Sequence, residues 1–385
     1  MRHALLAVAT VSLALGGCNW IKGLGKKDNV VPPTPLVEFA PSASVDTLWT
    51  ASIGKGSGKS GARMHPAVSG DRLFVASVDG EVRALDISNG RTLWSVNDKN
   101  REWSGGPAAS GEMVVVGDLS GHVHAFSPAD GSVLWQTQLS SEVICAPEIA
   151  PGVVAVRSQD GRLFGLDPTS GTQRWVYEQA VPVLSLRGNS SPLVGGGFVF
   201  GGYDSGRVVA VRESDGAPAW SQVLSAAEGR TEVERLADSD GVAVLVDGVL
   251  YVISYRGQLA AFQAESGRPI WARELSSYAG LAVGDNAVVV SDAEGNVWAF
   301  ERASGANLWK QEGLQHRWLG PPAIVGKHAV VGDIEGYVHW LSLEDGSFTA
   351  RERIGKKPIE SAPVVQGDMV FVEDASGRIA AYRTR

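Results

Sequence analysis

A glycine-rich stretch near the start of the chain has residue types that could bind phosphate. Gly54-Lys-Gly-Ser-Gly58 is followed by Lys59 and Ser60. A phosphate loop needs four residues between its two glycines, with a strand before it and a helix after it, so that backbone N–H groups point at the phosphate. Here only three residues separate Gly54 from Gly58. We therefore expect a flexible linker at this point rather than a nucleotide site.

Histidines are the next candidates for chemistry. His122 and His124 are two residues apart, so on a strand both side chains point to the same face. Two imidazoles can begin a metal site, but the sequence suggests no third ligand. The remaining candidates are scattered along the chain: His65, His316, His328 and His339. We favour ordinary polar strand residues. Carboxylates are too evenly placed in turns to single out a catalytic pair, so we predict no catalytic residue, no metal and no cofactor.

The N-terminal residues read as a secretory signal. Arg2 and His3 precede an apolar run from Ala4 to Leu15, which is too short to span a bilayer. Small residues then lead to Cys18, as in the lipobox of bacterial lipoproteins, which is cut before the cysteine that becomes acylated. The alternative is an ordinary signal with a chance cysteine. We predict a signal peptide over residues 1–17 and lipidation at Cys18.

The residues after Cys18 read as a tether. Asn19 is not the aspartate that commonly retains such lipoproteins at the inner membrane, so we expect an anchor in the outer membrane, facing the periplasm. Lysines and then prolines follow, and proline stiffens a linker. We assign residues 18–44 to a lipid-anchored, flexible, Pro-rich tether. The formal net charge of −8 argues against a nucleic-acid partner, and we expect Cys145 to be a small buried apolar residue.

The elements that must carry any site are set by a repeat. Tryptophans recur at intervals of 38 to 51 residues: Trp49, Trp94, Trp135, Trp175, Trp220, Trp271 and Trp309. From Trp94 onward each closes one phrase, of which Ala84, Gly90 and Trp94 form the clearest copy. A seventh copy, from Trp340 to Ala350, keeps the frame without the tryptophan. A period of about 40–45 residues with four short strands is typical of a β-propeller blade. We expect the tryptophans to pack between blades.

Counting these phrases predicts an all-β, eight-bladed β-propeller over residues 45–385. The eighth copy begins at Pro363 and stops after three strands. An open ring would leave exposed sheet edges. Asp46-Thr-Leu-Trp49-Thr50 has the character of the missing strand, so we predict that the N-terminus closes the last blade.

The repeat resembles the tryptophan-docking motif of quinoprotein alcohol dehydrogenases, which bind pyrroloquinoline quinone (PQQ) on the propeller axis. That resemblance implies an alternative function, a periplasmic PQQ-dependent quinoprotein dehydrogenase. Those enzymes are longer and carry a vicinal disulfide and a calcium-binding Glu/Asn/Asp set. This chain has no Cys-Cys pair, and we find no equivalent set. The repeats fit the family while the site does not, and a fold does not imply a function.

Two segments depart most from the blade pattern, residues 176–191 and residues 221–241. Both connect an outer strand to the next blade's inner strand, so topology places them on one face. Each carries apolar residues that a loop does not need: Val183, Leu184 and Leu186 in the first, Val233 and Leu236 in the second. Exposed apolar residues ringed by charge are typical of a protein contact site. In the alternative, the leucines tuck into the disc and Arg187 pairs with Asp238 or Asp240.

These two segments carry a more specific resemblance. Together with the lipobox, the tether and the repeats, the sequences Leu184-Ser-Leu-Arg187-Gly188 and Glu234-Arg235-Leu-Ala-Asp238-Ser-Asp240 resemble the BamB family. Members are propeller lipoproteins of the β-barrel assembly (BAM) machinery in Gram-negative bacteria. Gly332-Asp333-Ile-Glu335-Gly336-Tyr337 also fits the family's late blade.

The resemblance implies a non-catalytic scaffold of outer-membrane protein assembly. Its implied partners are the POTRA domains of BamA, other BAM subunits and unfolded outer-membrane proteins. The residues that the resemblance implies as BamA contacts are Leu184, Leu186, Arg187, Asp238 and Asp240. Whether the two aspartates contact BamA themselves or hold Arg187 in place stays open.

Overall fold

The computed structural model is a ring of eight four-stranded antiparallel sheets, which confirms the predicted eight-bladed propeller. The structure describes residues 31–58, 62, 64–180, 190–225 and 243–385. The chain divides into two units, Met1–Pro32 and Pro33–Arg385, and the propeller lies in the second. Among the described residues, no helix is long and apolar enough to cross a membrane.

The strands are numbered in chain order, and each blade is one sheet. Blade one contains β2 (Ala67–Ser69), β3 (Arg72–Ala76), β4 (Glu81–Asp86) and β5 (Thr92–Asn97), and blade two contains β6 (Trp103–Ala109), β7 (Val114–Asp118), β8 (His122–Phe126) and β9 (Val133–Gln138). Blade three contains β10 (Glu148–Ile149), β11 (Val154–Arg157), β12 (Arg162–Leu166) and β13 (Gln173–Glu178). Blade four contains β14 (Leu193–Gly195), β15 (Phe198–Tyr203), β16 (Arg207–Arg212) and β17 (Pro218–Val223). Blade five contains β18 (Val244–Val246), β19 (Val249–Ile253), β20 (Gln258–Gln263) and β21 (Pro269–Glu274). Blade six contains β22 (Gly280–Val283), β23 (Ala287–Ser291), β24 (Val297–Glu301) and β25 (Asn307–Gln311). Blade seven contains β26 (Ala323–Val325), β27 (His328–Gly332), β28 (Tyr337–Ser342) and β29 (Phe348–Arg353). Blade eight combines β1 (Val45–Ser52) with β30 (Val364–Gln366), β31 (Met369–Glu373) and β32 (Arg378–Thr384). The first strands of adjacent blades contact each other all the way round the ring.

The N-terminal strand closes the ring, as the sequence predicts. β1 pairs antiparallel with β32, from Val45 opposite Thr384 to Ser52 opposite Arg378. The backbone N–H of Arg385 also donates to the carbonyl of Ser44 at 3.0 Å. The first and last described strands are therefore neighbours, and blade eight has the same four strands as the others.

The tryptophans dock each blade onto the next, which confirms the predicted inter-blade packing. Each indole N–H donates to a backbone carbonyl in the following blade at 2.8–3.0 Å: Trp49 to Ile87, Trp94 to Pro128, Trp135 to Pro168, Trp175 to Glu213, Trp220 to Ala264, Trp271 to Arg302 and Trp309 to Leu343. A buried indole N–H needs such a partner. The ring and its hydrogen bond therefore act together at each junction.

The small residues of the phrase make room for these rings. Ala84 lies directly opposite Trp94 in the ladder of blade one. Gly131 belongs to blade two and lies under the Trp94 ring, because a Cβ built on it would approach Cε3 of Trp94 to 2.7 Å. Its φ of +75° also suits glycine. The glycine of each phrase thus receives the tryptophan of the preceding blade.

Blade seven keeps this pair with its members exchanged. Trp340 occupies the third-strand position of the alanine, and Ala350 lies opposite it in the fourth strand. The Trp340 ring is fully buried and donates from Nε1 to Oγ1 of Thr384 at 3.0 Å. The seventh phrase therefore fills the same space from the other strand.

The stretch that we expected to be a tether is partly docked. Residues 34–43, which we call the strap, run along blade seven. Oγ1 of Thr34 donates to the carbonyl of Gln315 at 2.7 Å, and Arg351 donates to the carbonyl of Val37 at 3.0 Å. The ring of Phe39 stacks on that of Phe348 with centroids 5.5 Å apart. The N–H groups of Ser42 and Ala43 both donate to the carbonyl of Thr349. From Thr34 onward the chain is therefore held by the propeller.

Candidate protein-interaction face

One face of the ring carries the kind of connection that we expected to function, and we call it the loop face. It contains the turn between the second and third strands of each blade and the connection from each fourth strand to the next blade. They share a face because consecutive strands are antiparallel. Backbone N–H groups after the fourth strand donate to turn glycines of the same blade: Asp98 to Gly80, Leu139 to Gly121, Gln179 to Gly161, Leu224 to Gly206 and Ile354 to Gly336. In each of these blades a main-chain bond thus fixes the start of the outgoing connection.

Buried carboxylates shape several of these turns. Asp118 accepts hydrogen bonds from the backbone N–H groups of Ser120 and His122, at 2.9 and 2.7 Å. The same pattern, with N–H groups two and four residues further on, repeats at Asp292, Asp333 and Asp374. An aspartate that caps its own turn in this way satisfies backbone donors. These regularly spaced carboxylates therefore serve the turns.

The predicted contact residues lie outside the described residues. Leu184, Leu186 and Arg187 belong to residues 181–189, and Asp238 and Asp240 to residues 226–242. The structure places the ends of both segments on the loop face, on either side of blade four. The assignment of these five residues stays a prediction, as does lipidation at Cys18.

A buried arginine supports the junction between blades three and four, where the first segment begins. Arg157 is 2% exposed, and its Nη2 lies 3.4 Å from Oδ1 of Asp204. Its guanidinium lies over the ring of Tyr203 at 4.6 Å and also donates to the carbonyl of Gly202. Burial raises the pKa of the Tyr203 hydroxyl. This ion pair joins blades three and four at the junction from which the first segment starts.

The second segment begins at a junction that is also well bonded. Leu224 is buried, and the hydroxyl of Ser225 donates to the carbonyl of Arg256 at 3.0 Å. Arg256 belongs to the turn of blade five and has a φ of +53°, which is uncommon for a residue other than glycine. The described residues thus join blades four and five at the start of this segment.

A second buried arginine organises the junction of blades six and seven. Arg317 is 2% exposed, and its Nε lies 2.7 Å from Oδ2 of Asp333. Its other nitrogens reach Glu335 and the carbonyl of Thr34 in the strap, the latter at 2.8 Å. His339 Nε2 lies 3.1 Å from the same oxygen of Asp333. One side chain therefore links two blades and the strap.

The protonation of this network follows from its geometry. Arg351 donates from Nε to Nδ1 of His339 at 3.1 Å. Arginine has no acceptor, so Nδ1 must accept, and the proton of the neutral imidazole lies on Nε2, facing Asp333. Burial lowers the pKa of His339, although Asp333 opposes this. Burial would raise the pKa of Asp333, but hydrogen bonds from His339 and the Tyr337 backbone, with the charge of Arg317, hold it below its usual value.

The residues suspected of metal chemistry have structural neighbours. His122 and His124 share a face, as predicted, with ring centroids 6.3 Å apart. His124 is buried against the edge of Trp103, and burial, with the charge of Arg101, lowers its pKa to about 4. Within the described ranges no three His, Cys, Asp or Glu side chains are grouped as a metal ion requires. Cys145 is buried, as predicted.

Sequence reasoning missed the two buried arginines. Arg157 and Arg317 look like ordinary surface charges, and their partners Asp204 and Asp333 are 47 and 16 residues away. A sequence signal for the Arg317 network was partly visible, because Asp333 belongs to the segment that resembles the family's late blade. Nothing in the neighbouring sequence indicated that Thr34, in the predicted tether, would bond to Arg317.

Comparisons with known proteins agree in one family. The model described as "Outer membrane protein assembly factor BamB" matches residues 41–97, 78–311 and 299–385. The assembly factor of that name from Xanthomonas campestris is 41% identical, over 99% of this chain and 97% of its own length. The crystal structure of BamB from Moraxella catarrhalis has a TM-score of 0.81 and 30% identity, over 88% of this chain and 100% of that one.

Quinoprotein dehydrogenases share only the fold. The quinohemoprotein alcohol dehydrogenase from Comamonas testosteroni has a TM-score of 0.69 with 12% identity, over 88% of this chain and 76% of that one. A likeness at this identity carries the propeller architecture and no argument about a quinone.

Proposed function

This chain belongs to the BamB family of outer membrane protein assembly factors, and from that membership we propose that it is a lipid-anchored scaffold that binds the POTRA domains of BamA. It is not an enzyme, and its role is in the assembly of β-barrel outer-membrane proteins. The observation that carries the proposal is the family match from residue 41 to residue 385, which spans every blade.

The architecture supports a scaffold role. Seven indole hydrogen bonds and a closed ring fix the blades relative to one another. The two segments with surplus apolar residues start from junctions that are bonded by Arg157 and Ser225. Rigid elements that position loops suit a binding surface, because less conformational entropy is lost when the partner binds.

We further propose that Cys18 carries the lipid and holds the propeller at the periplasmic face of the outer membrane. Acyl chains contribute about 0.8 kcal/mol for each buried CH₂ group, so more than one chain gives a stable anchor. The Cys18→Ser variant should remain an uncut precursor without lipid. Partition of the wild-type protein into the aqueous phase in the absence of detergent would contradict the anchor.

The direct test of the scaffold is binding to the periplasmic domain of BamA. The wild-type chain should retain this domain in a pull-down, and Leu184→Ala, Leu186→Ala and Arg187→Ala should each weaken it. Arg187 should matter most, because an arginine at an interface can organise several hydrogen bonds. A wild-type chain that fails to enrich BamA would overturn the proposal.

The matched control separates binding from folding. Trp135→Ala removes a buried docking ring and should cost about 3–5 kcal/mol of stability. Arg187→Ala should leave the unfolding midpoint near that of the wild type. If both variants unfold equally easily, Arg187 is structural and the site assignment is wrong.

A further inference from the structure

An exposed tryptophan stands on the loop face between blades six and seven. Trp318 is 54% exposed, whereas its neighbours Arg317 and Leu319 are 2% and 3% exposed. Its φ is +49°, and that of His316 is +59°. Bulky residues rarely adopt this left-handed conformation, because it costs free energy unless the surroundings impose it. The fold therefore holds a large apolar ring in water at a strained position.

The backbone on both sides of Trp318 is pinned. The carbonyl of Arg317 accepts a hydrogen bond from the N–H of Ile334 at 3.0 Å, and the N–H of Gly320 donates to the carbonyl of Gly332 at the same distance. The Arg317 side chain is held by Asp333 at 2.7 Å. The backbone position of Trp318 thus follows from contacts with blade seven.

Two residues from neighbouring connections complete a small surface with Trp318, and we call the three the aromatic patch. The ring of Tyr278, from the connection into blade six, lies 6.3 Å from that of Trp318. Glu294 is exposed in the turn of blade six, and its carbonyl accepts from the N–H of His316 at 2.9 Å. The patch therefore combines two rings with an acidic residue whose carbonyl is bonded to the N–H two residues before Trp318.

Acidic residues outnumber basic ones among the charged side chains near the patch. Glu294 forms no ion pair with any residue that the structure describes. The pKa of Lys310, on the last strand of blade six, is raised by its hydrogen bond to Glu312 and further by the charges of Asp292 and Glu294. Glu335 is also exposed here, next to Arg317. The carboxylates of Asp292, Glu294, Glu312 and Glu335 outnumber the cations of Lys310 and Arg317 here, which favours a basic ligand over an acidic one.

We propose that the aromatic patch of Tyr278, Glu294 and Trp318 is a docking site for an extended polypeptide segment that presents a basic side chain beside an apolar one. An arginine or lysine over an indole face gains cation–π attraction, for which tryptophan is the best of the three aromatic residues. Glu294 supplies the opposite charge, and the apolar neighbour covers the remaining ring surface. An acidic segment would gain neither the cation–π attraction nor the attraction to Glu294.

The site is tested with a short synthetic peptide in which leucine and arginine alternate. Binding to the full chain is measured by fluorescence anisotropy of the labelled peptide. The ¹⁹F NMR signal of 5-fluorotryptophan at position 318, identified by its loss in Trp318→Phe, reports the place of binding. We expect that signal to shift on titration. Trp318→Ala should weaken binding about tenfold, as for one aromatic anchor, and Glu294→Lys should also weaken it.

Two controls make the result decisive. Leu308 is 50% exposed on β25, the outermost strand of blade six. The variant Leu308→Ala should leave the affinity for the peptide unchanged. A peptide with glutamate in place of arginine should bind about tenfold more weakly. The proposal is overturned if the basic peptide does not bind, if Trp318→Ala binds it as the wild type does, or if both peptides bind alike. No BamA is used, so failure here leaves the scaffold proposal untouched.

Discussion

Buried charges are the residues at which this fold departs from apolar packing. Arg157 and Arg317 are each 2% exposed, and each is paired with a carboxylate beneath the loop face. Breaking a buried pair by removing one partner typically costs about 3–5 kcal/mol, because a charge is left without compensation. These arginines hold the described parts of the connections on the loop face in place.

The role of the acidic pair in the second segment can be decided by a double-mutant cycle. Truncating one member of a desolvated charge pair costs about 2–5 kcal/mol of affinity. If Asp238 contacts BamA directly, the losses for Arg187→Ala and Asp238→Ala should add. Strong non-additivity would instead favour an internal pair that presents the loop. The measurement is the dissociation constant for the BamA periplasmic domain in both single variants and the double variant, with Asp240→Ala as a parallel cycle.

Two titratable groups, buried His124 and half-buried Glu148, should oppose each other in the pH dependence of stability. The folded pKa of His124 is lowered to about 4, mainly by burial. Between about pH 4 and pH 6.5, His124 therefore binds more protons in the unfolded chain than in the folded one. The contribution of the neutral, buried imidazole to the free energy of unfolding is fully present above pH 6.5 and is lost as the pH falls through this range. Burial raises the pKa of Glu148 from 4.5 to about 7, so the folded chain binds more protons in that window and stability falls as the pH rises through it.

Single variants should therefore tilt the pH profile in opposite directions. His124→Gln should reduce the loss of stability at pH 5, and Glu148→Gln should raise stability at pH 7.5. Each effect is limited to about 3 kcal/mol, since one pKa unit corresponds to about 1.4 kcal/mol. Urea unfolding midpoints at the two pH values provide the measurement. Parallel shifts of both variants at both pH values would argue against titration as the cause.

At the scale of elements, the repeated phrase predicted the blades because each of its residues has a contact to make. Ala84 lies under its own blade's ring, Gly131 under the ring of the blade before, and Trp94 bonds the next blade. Those constraints recur in the copies that close with a tryptophan, so strands and turns could be located from sequence. The exchange of Trp340 and Ala350 preserves the same volume, and only the ladder shows where the ring lies.

The strap escaped prediction because its partners are far away in sequence. A proline-rich stretch without alternation reads as a linker, and the hydrogen bond from Arg351 to Val37 spans 314 residues. The buried arginines escaped for the same reason, whereas the contact segments, which stay a prediction, were proposed from their surplus apolar residues. Local pattern therefore gave the repeating elements, and pairings between distant single residues needed coordinates.

The strap should contribute measurable stability through one aromatic contact. Phe39 stacks on Phe348 at 5.5 Å, and the guanidinium of Arg351 lies 5.0 Å from its ring. Phe39→Ala should lower the free energy of unfolding by about 1–2 kcal/mol, from an aromatic pair worth about 0.5–1.5 kcal/mol and some lost burial. It should also speed proteolysis within residues 34–43. Val31→Ala, which changes an exposed residue before the strap, is the control and should change neither.

At the scale of the whole molecule, the ring is closed by main-chain pairing between β1 and β32. The other seven blades are each built from consecutive strands, so this is the one blade, among those that the structure describes, whose strands come from both ends of the chain. Opening it would expose the edge of β32 and remove the bond from Trp49 to Ile87. An exposed edge is a template for pairing with other chains. Closure therefore protects solubility as well as stability.

A chain that begins at Ile53 should test this closure directly. Without β1 we expect a marked loss of soluble protein, because blade eight keeps only three strands and its outermost strand is unpaired. A synthetic peptide with the sequence of residues 44–52, added in trans during refolding, should restore the soluble form by supplying the missing strand. The same peptide with Trp49→Ala should rescue poorly, since the deleted ring otherwise packs on Gly90 of blade one. Size-exclusion chromatography measures the monomer recovered in each case. Equal recovery with both peptides would mean that strand pairing alone closes the ring, and full recovery without peptide would mean that closure is dispensable.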